Sequence, residues 1–597
     1  MSEGLVVRLL GRPQLERDGL LLAPPRGRKS WAVLAYVALA ELPVSRERLS
    51  ALLFSDAADP QGALRWTLAE LRRALVAADL LRGDPLRLGF PAGIAVDVLM
   101  VSAGQADVGS VRGELLEGIE LEAGPVFESW LLIERRRLAG LSEGILHDAA
   151  LAALASGRPQ QAAAFASRAL EFSPFEESLH ELFVRCLVAN GDLGAARHHV
   201  VSCEVLFRRE LGRAPDACVA RAATLIGEPD VLGDRAAANG QLQAGIAAID
   251  AGAVEPGMAC LRMACAQARA CGDADVLARV LLELGSALVH AVRGHDEEGA
   301  AMLHEALSVA ESTGAKPIVI EACRELGYIE VQAGRPATAG RWLSRASAHV
   351  GDGAERAKVL GVRGMALSDR AHYEAAIGLL TESVAVAEIA GDCRQQAWSL
   401  AILGRALLLR GQLREAAGAL DRSLELIADE GWRALQPLPE SLRAEVALRE
   451  GERAEALSLA RHAFALGCEL GDPCWEGFGA RVKGLIHRSL GEDALALECL
   501  RDAVARSGRV ADAYAWVKAH CLDALAARAI GECEPDYIET VIAELETIAA
   551  RGDMRELMVR AAIHRARLGD GAALNAVRPL AEAIANPALD AELSLIA

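Results

Sequence analysis

The chain has 597 residues and a formal net charge of −19, with 52% hydrophobic residues but only 4% aromatic ones. That length exceeds what a single hydrophobic core serves, and the high apolar content with interspersed charge excludes large-scale disorder. The longest apolar stretch, residues 31–44, is short and carries Glu41 and Pro43, so it reads as a core helix rather than a membrane span, which needs roughly 20 apolar residues.

The first residues include Glu3 and Arg8 and lack a signal-peptide pattern, so a cytoplasmic chain without membrane contact is expected. All thirteen cysteines lie beyond residue 185 with no regular framework, which suits reduced thiols used as small core residues. Charge is uneven. Residues 1–98 hold 13 Lys and Arg against 11 Asp and Glu, leaving −21 on the remainder. An acidic body repels nucleic acid, so any DNA contact belongs at the N-terminal end.

In chain order, residues 5–10 ("LVVRLL") and 18–23 ("DGLLLA") read as short strands, with Asp18-Gly19 a turn signal and Pro24-Pro25 ending the sheet. Helices are expected over 29–40, over 45–54 with Ser45 as N-cap, and over 63–75. Residues 86–90 and 93–98 read as a closing hairpin. Strands, three helices and a hairpin describe a winged helix-turn-helix. The third helix, "ALRWTLAELRRAL", gathers Leu64, Leu68, Leu71 and Leu75 in one sector, the face to be buried. Arg65 and Arg72 flank the small Ala69, and Trp66 and Arg73 lie opposite the leucines, while Glu70 puts an acid at the edge of that face. Long donors at this spacing suit the major groove. Arg28, Lys29, Arg46, Arg48, Arg82 and Arg87 form a candidate phosphate-contacting set around it.

From residue 150 the chain repeats. Gly157 and Gly191 open similar segments 34 residues apart, the tetratricopeptide period; further segments start at Gly252, Gly294, Gly334, Arg370, Gly411, Gly451, Gly491 and Gly531, mostly 40 apart. Gly-Asp pairs at 272, 351, 391, 471 and 552 suit a helix C-terminus followed by an N-cap. Each repeat is therefore two antiparallel helices of about five turns, stacked into a superhelix. Trp398, Trp475 and Trp516 fall in first helices of their repeats, where they line either a concave groove for a partner or effector, or the core between repeats.

No P-loop, H-E-x-x-H, paired C-x-x-C or nucleophile elbow with credible partners is present, so neither enzyme activity nor a cofactor is expected. His199 and Cys203 share a helical face but offer only two ligands, so no metal site is expected.

Residues 45–75, 116–141, 171–200 and 208–216 resemble, in order, the winged helix and following domain of bacterial activators of the antibiotic-regulatory-protein (SARP) and bacterial transcriptional activator domain class. The resemblance spans about 1–225. It implies a DNA-binding winged helix fused to a tetratricopeptide-like domain, acting on promoter DNA as a homodimer and contacting RNA polymerase, with Arg65, Arg72 and Arg73 on the DNA-reading helix. Phe54 stands where the family usually has Trp, and Trp66 and Glu70 occupy positions often polar or basic.

The expectation is a mainly α chain: a winged helix-turn-helix with small β elements over 1–98, a helical activator domain over 99–230, and an α-solenoid of about eight tetratricopeptide-like repeats over 231–597. Its expected function is a DNA-binding transcriptional regulator, an activator. The alternative is a protein-interaction scaffold that does not bind DNA.

Overall fold

The computed structural model describes residues 4–40, 42–75, 80–86, 94–121, 123–224, 233–250, 252–584 and 586–596. They are mainly helical, with one small sheet near the N-terminus. By packing, the chain divides into two compact units: Met1–Ile145 together with Cys533–Ala597, and Leu146–Glu532.

In the first unit, β1 (Leu5–Arg8), β2 (Gln14–Arg17), β3 (Leu20–Leu21) and β4 (Ile94–Val96) form a sheet in the order β3-β2-β1-β4. Asp18 and Gly19 both have positive φ, 53° and 79°, as a two-residue hairpin turn between β2 and β3 requires. Of the expected closing hairpin, 94–96 form β4, which pairs parallel with β1, and Leu86 bridges Val44. Asp97 opens the next helix, and its buried carboxylate accepts the backbone N–H groups of Leu9, Leu10 and Val98 at 2.8–2.9 Å, holding the end of β4 beside β1. Residues 87–93 of that predicted hairpin lie outside the described residues.

Three helices follow β3: α1 (Arg28–Leu39), α2 (Arg46–Leu53) and α3 (Pro60–Ala74). Ser45 caps α2 by accepting from Arg48 N, and Asp59 caps α3 by accepting from Gly62 N, with Pro60 in the first turn. After α4 (Asp97–Ser102) comes the 31-residue α5 (Pro125–Ala155). By length and composition α5 could cross a membrane, which the 31–44 stretch could not, but 67% of its most apolar window is buried within the protein. Its first half packs against the C-terminal helix α25 (Pro535–Arg551), which α26 (Arg555–Arg567) follows. Arg136 pairs with Glu546 at 2.8 Å, and a Cβ on Gly140 would lie 2.7 Å from Arg551 Cα. Helices α27 (Gly571–Glu582) and α28 (Pro587–Ser594) complete this unit.

The second unit takes the end of α5 from Leu146 and continues with α6 (Pro159–Phe172), α7 (Glu177–Ala189), α8 (Leu193–Leu211) and α9 (Ala217–Ala222). Seven helix pairs follow: α10/α11 (Arg235–Asp250, Val254–Cys271), α12/α13 (Ala274–His290, Asp296–Thr313), α14/α15 (Lys316–Gln332, Pro336–His349) and α16/α17 (Ala354–Asp369, Tyr373–Ala390). The rest are α18/α19 (Cys393–Leu409, Leu413–Asp429), α20/α21 (Pro437–Glu450, Arg453–Leu470) and α22/α23 (Pro473–Ser489, Asp493–Ser507), before a single α24 (Ala515–Ala529). This is a tetratricopeptide-like α-solenoid. Three of the five Gly-Asp pairs act as expected: Gly272, Gly391 and Gly471 end helices in the left-handed conformation, and Asp273, Asp392 and Asp472 cap the next. At 351–352 the chain instead starts α16 after Gly353, and Gly552 is right-handed.

Within the pairs a recurrent device sets the spacing. A Cβ built on Gly245, Gly285, Gly327, Gly364, Gly404 or Gly484 would lie 2.5–2.8 Å from a side-chain atom of Leu261, Leu303, Leu343, Leu380, Leu420 or Leu500 on the partner helix. All thirteen cysteines are free thiols and most are buried, with burial pushing Cys186, Cys203 and Cys323 up to about 12.

Gly404→Ala is expected to destabilise the second unit by about 1–3 kcal/mol through overpacking against Leu420, despite alanine's better helix propensity. Gly418→Ala, in the same hairpin but with nothing within 4 Å of its added methyl, is expected to stabilise by about 0.5–1 kcal/mol. Urea titration of both variants checks the pair, and a shift of the same sign in both would sink the packing account.

Candidate nucleic-acid interface and solenoid cavity

The leucine face of α3 packs inward as its periodicity predicts: Leu64, Leu68, Leu71 and Leu75 are all buried. The outward face presents Arg65, Trp66, Ala69 and Arg73. Trp66 is 51% exposed and its ring covers Gly27, whose φ of 82° needs glycine. A cleft of about 490 Å³ opens beside it, lined by Arg28, Phe54 and Glu120 among others. Arg65 stands 3.6 Å from the capping Asp59, and Arg73 donates to both oxygens of Glu70 at 2.9 Å. Glu70 is buried, not at the edge of the exposed face as the helical wheel suggests, so Arg73 neutralises it from outside.

Arg72 departs from its expected place. Its guanidinium donates to the carbonyls of Leu80 and Leu81 at 2.9 and 2.8 Å, pinning the chain that leaves α3 instead of pointing outward with Arg65. Burial, with Arg46 and Arg82 nearby, lowers its pKa. The candidate phosphate set divides in the same way. Arg46 donates to Gly83 O at 2.9 Å, and Lys29 pairs with Asp56 at 2.8 Å while lying over the Phe54 ring. Arg28 is exposed, 3.8 Å from Glu120, and Arg26, which sequence reasoning passed over, is exposed beside it. Arg87 lies outside the described residues.

His199 and Cys203 on α8 serve packing. His180 donates from Nε2 to Pro174 O, so its Nδ1 must accept from His199 Nε2, 2.9 Å away, and the rings stack. Burial, then the neighbouring His180 and His198, hold His199 down to about 4. Cys203 is buried among Val184, Ala196 and Phe207.

In the solenoid, Trp398 on α18 and Trp475 on α22 line a cavity of about 420 Å³, together with Trp432, Tyr328 and Tyr514. Trp516 does not join them. It is buried against Phe478 and His520, with the Arg405 guanidinium 4.4 Å from its ring. Arg405 is the key to this floor: it donates to Tyr514 Oη at 2.7 Å and to Asp369 at 2.6 Å, and Tyr514 donates to Asp369 at 2.9 Å. Burial pushes Asp369 up to about 6 against the pull of Arg405 and Tyr514. Two further ties cross the same unit. Arg293 pairs with Asp472, and Asp512 accepts from the backbone N–H groups of Gly294 and His295. Trp432 was missed because it lies in a loop, outside the helical register that singled out the other tryptophans.

Residues 106–226 match the model of the bacterial transcriptional activator domain. No curated protein matches the chain. Among solved structures, it is similar to a Rap protein complexed with competence and sporulation factor (14% identity, 60% of this chain and 87% of that one, TM-score 0.40). It is also similar to a signal-transduction ATPase with a tetratricopeptide repeat sensor from Pyrococcus horikoshii (15%, 74% and 74%, TM-score 0.37). A third is Mycobacterium tuberculosis EmbR in complex with a low-affinity phosphopeptide (19%, 42% and 72%, TM-score 0.29).

The depressed His199 has a pH signature. Its stabilising contribution is complete above its unfolded value of 6.5 and is lost as pH falls through about 4. Wild-type protein is therefore expected to lose more thermal stability between pH 6.5 and 4 than His199→Gln, which cannot titrate; equal losses would remove His199 as the cause.

Proposed function

We propose that the chain is a DNA-binding transcriptional regulator acting as an activator, with α3 reading promoter DNA and the solenoid receiving the regulatory signal. The observation that carries this reading is the match of residues 106–226 to the bacterial transcriptional activator domain, behind a small sheet and three helices of which α3 exposes Arg65, Trp66 and Arg73. In this reading residues 1–98 are the winged helix, 99–230 the activator domain and 231–597 the regulatory solenoid. The protein works in the cytoplasm as a homodimer and contacts RNA polymerase, as the family resemblance implies. Effector or partner binding alters solenoid curvature or dimer contacts and brings two α3 helices to adjacent half-sites. Arg65 and Arg73 supply base or phosphate contacts, Arg28 and Arg26 the flanking phosphate contacts, and Arg72 holds the frame.

A second reading, a scaffold without DNA, is favoured by one feature: Asp59 and Glu70 stand beside the two outward arginines of α3. Fluorescence anisotropy on DNA from the protein's own upstream region, across a salt series, separates the two. Arg65→Ala/Arg73→Ala is expected to weaken specific binding at least tenfold and to reduce the salt slope by about one per lost phosphate contact. Binding equal to that of random DNA and unchanged in the variant would establish the scaffold instead.

A further inference from the structure

The cavity on the inner wall of the second unit has the size, lining and unmet bonding of a small-molecule site. Its volume of about 420 Å³ falls within the range of ligand pockets. Three of the chain's eight tryptophans and two of its five tyrosines line it, in a protein only 4% aromatic. Trp398 is held in place by an absence: a Cβ on Gly361 would lie 2.8 Å from its ring. Trp432 carries the Arg394 guanidinium over its face at 5.8 Å. Flat walls of this kind take flat, apolar bodies by stacking.

The polar groups indicate what the ligand must carry. Five basic residues line the cavity, His290, Arg293, Arg324, Lys358 and Arg394, against a single carboxylate, Asp392, which caps α18. Two of them are more exposed than the carboxylates they pair with: His290 at 42% against Glu325 at 2%, and Lys358 at 34% against Glu321 at 24%. Arg324, 12% exposed, is held between Glu321 and Glu325. Basic side chains thus outnumber acidic ones on this wall of an otherwise acidic protein. Two lining residues carry an unsatisfied buried donor, Arg324 at Nε and Gln332 at Nε2. A buried amide N–H without an acceptor is costly, and a ligand oxygen would satisfy it. The wall is also tied shut across the superhelix, since Tyr514 is locked to Arg405 and Asp369 and Arg293 to Asp472. A preformed site of this kind loses little entropy on binding.

We propose that this cavity binds a small planar aromatic molecule carrying a carboxylate or a similar oxyanion, its rings stacked between Trp398, Trp432 and Trp475 and its oxygens met by Gln332 Nε2 and the lining cations. The proposal deepens the reading in which the solenoid receives the regulatory signal, but the binding it asserts does not depend on DNA.

The test uses the full-length protein with 1-pyrenecarboxylate as probe, followed by quenching of tryptophan emission, with 1-pyrenemethylammonium as the cation of matching shape. Saturable quenching is expected with the carboxylate, about tenfold weaker in Trp398→Ala/Trp475→Ala and several-fold weaker in Gln332→Leu, which keeps the shape and removes the donor. The ammonium is expected to bind at least tenfold more weakly than the carboxylate. Circular dichroism and melting of both variants confirm that they are folded. Absent quenching, equal affinity in the folded variants, or equal affinity for the cation would overturn the proposal. Repeating the DNA anisotropy with and without probe reads the regulatory role separately, so a protein that binds the carboxylate and no DNA retains this site and loses only the regulator reading.

Discussion

The close approach of two helices where a glycine meets a leucine is the constraint on which the solenoid depends. Gly364 and Gly404 leave room for Leu380 and Leu420, each 16 residues further on, and the same pairing recurs at Gly245, Gly327 and Gly484. In α20/α21 the equivalent positions are Ala444 and Ala460, both fully buried, so the smallest side chains serve where hydrogen does not. Protein interiors are packed too densely for a methyl to be added at such a contact without moving its neighbours. The repeat length of about 40 residues follows, because each pair must return the next glycine to the same place.

From that spacing the inner wall is built. Tyr328, Trp398 and Trp475 lie two repeats apart, on the first helices α14, α18 and α22, and reach a common surface. Long-range polar ties then lock this wall. The triad of Asp369, Arg405 and Tyr514 joins residues 145 positions apart in the chain, and it is buried. A buried ion pair of this kind adds little net stability but is strongly destabilising when one partner is removed, so it specifies one arrangement more than it strengthens it.

The N-terminal unit shows charged side chains spent on architecture as well as on surface. Asp97 draws β4 onto β1, Arg72 anchors residues 80–81, and Glu70 is neutralised by Arg73. Of three arginines on α3, two reach outward. A helical wheel assigns direction by angle alone, yet a long side chain follows the nearest unsatisfied carbonyl, which for Arg72 belongs to a segment the wheel does not contain.

What the sequence by itself determined were the features carried by local chemistry and by period. These are the apolar face of α3, the Ser45 cap, the Asp18-Gly19 turn, the helix pairs and the segment matching an activator domain; each depends on residues near in the chain or on a spacing that repeats. The tertiary structure alone decided which side chains face out. It placed Trp516 in the core and Trp398 on the cavity wall, although both sit in first helices, because only the neighbouring repeats reveal that Phe478 and Arg405 enclose one while Gly361 makes room for the other. It also paired β4 with β1 and α5 with α25, contacts between residues far apart in sequence, for which no local propensity or periodicity carries a signal.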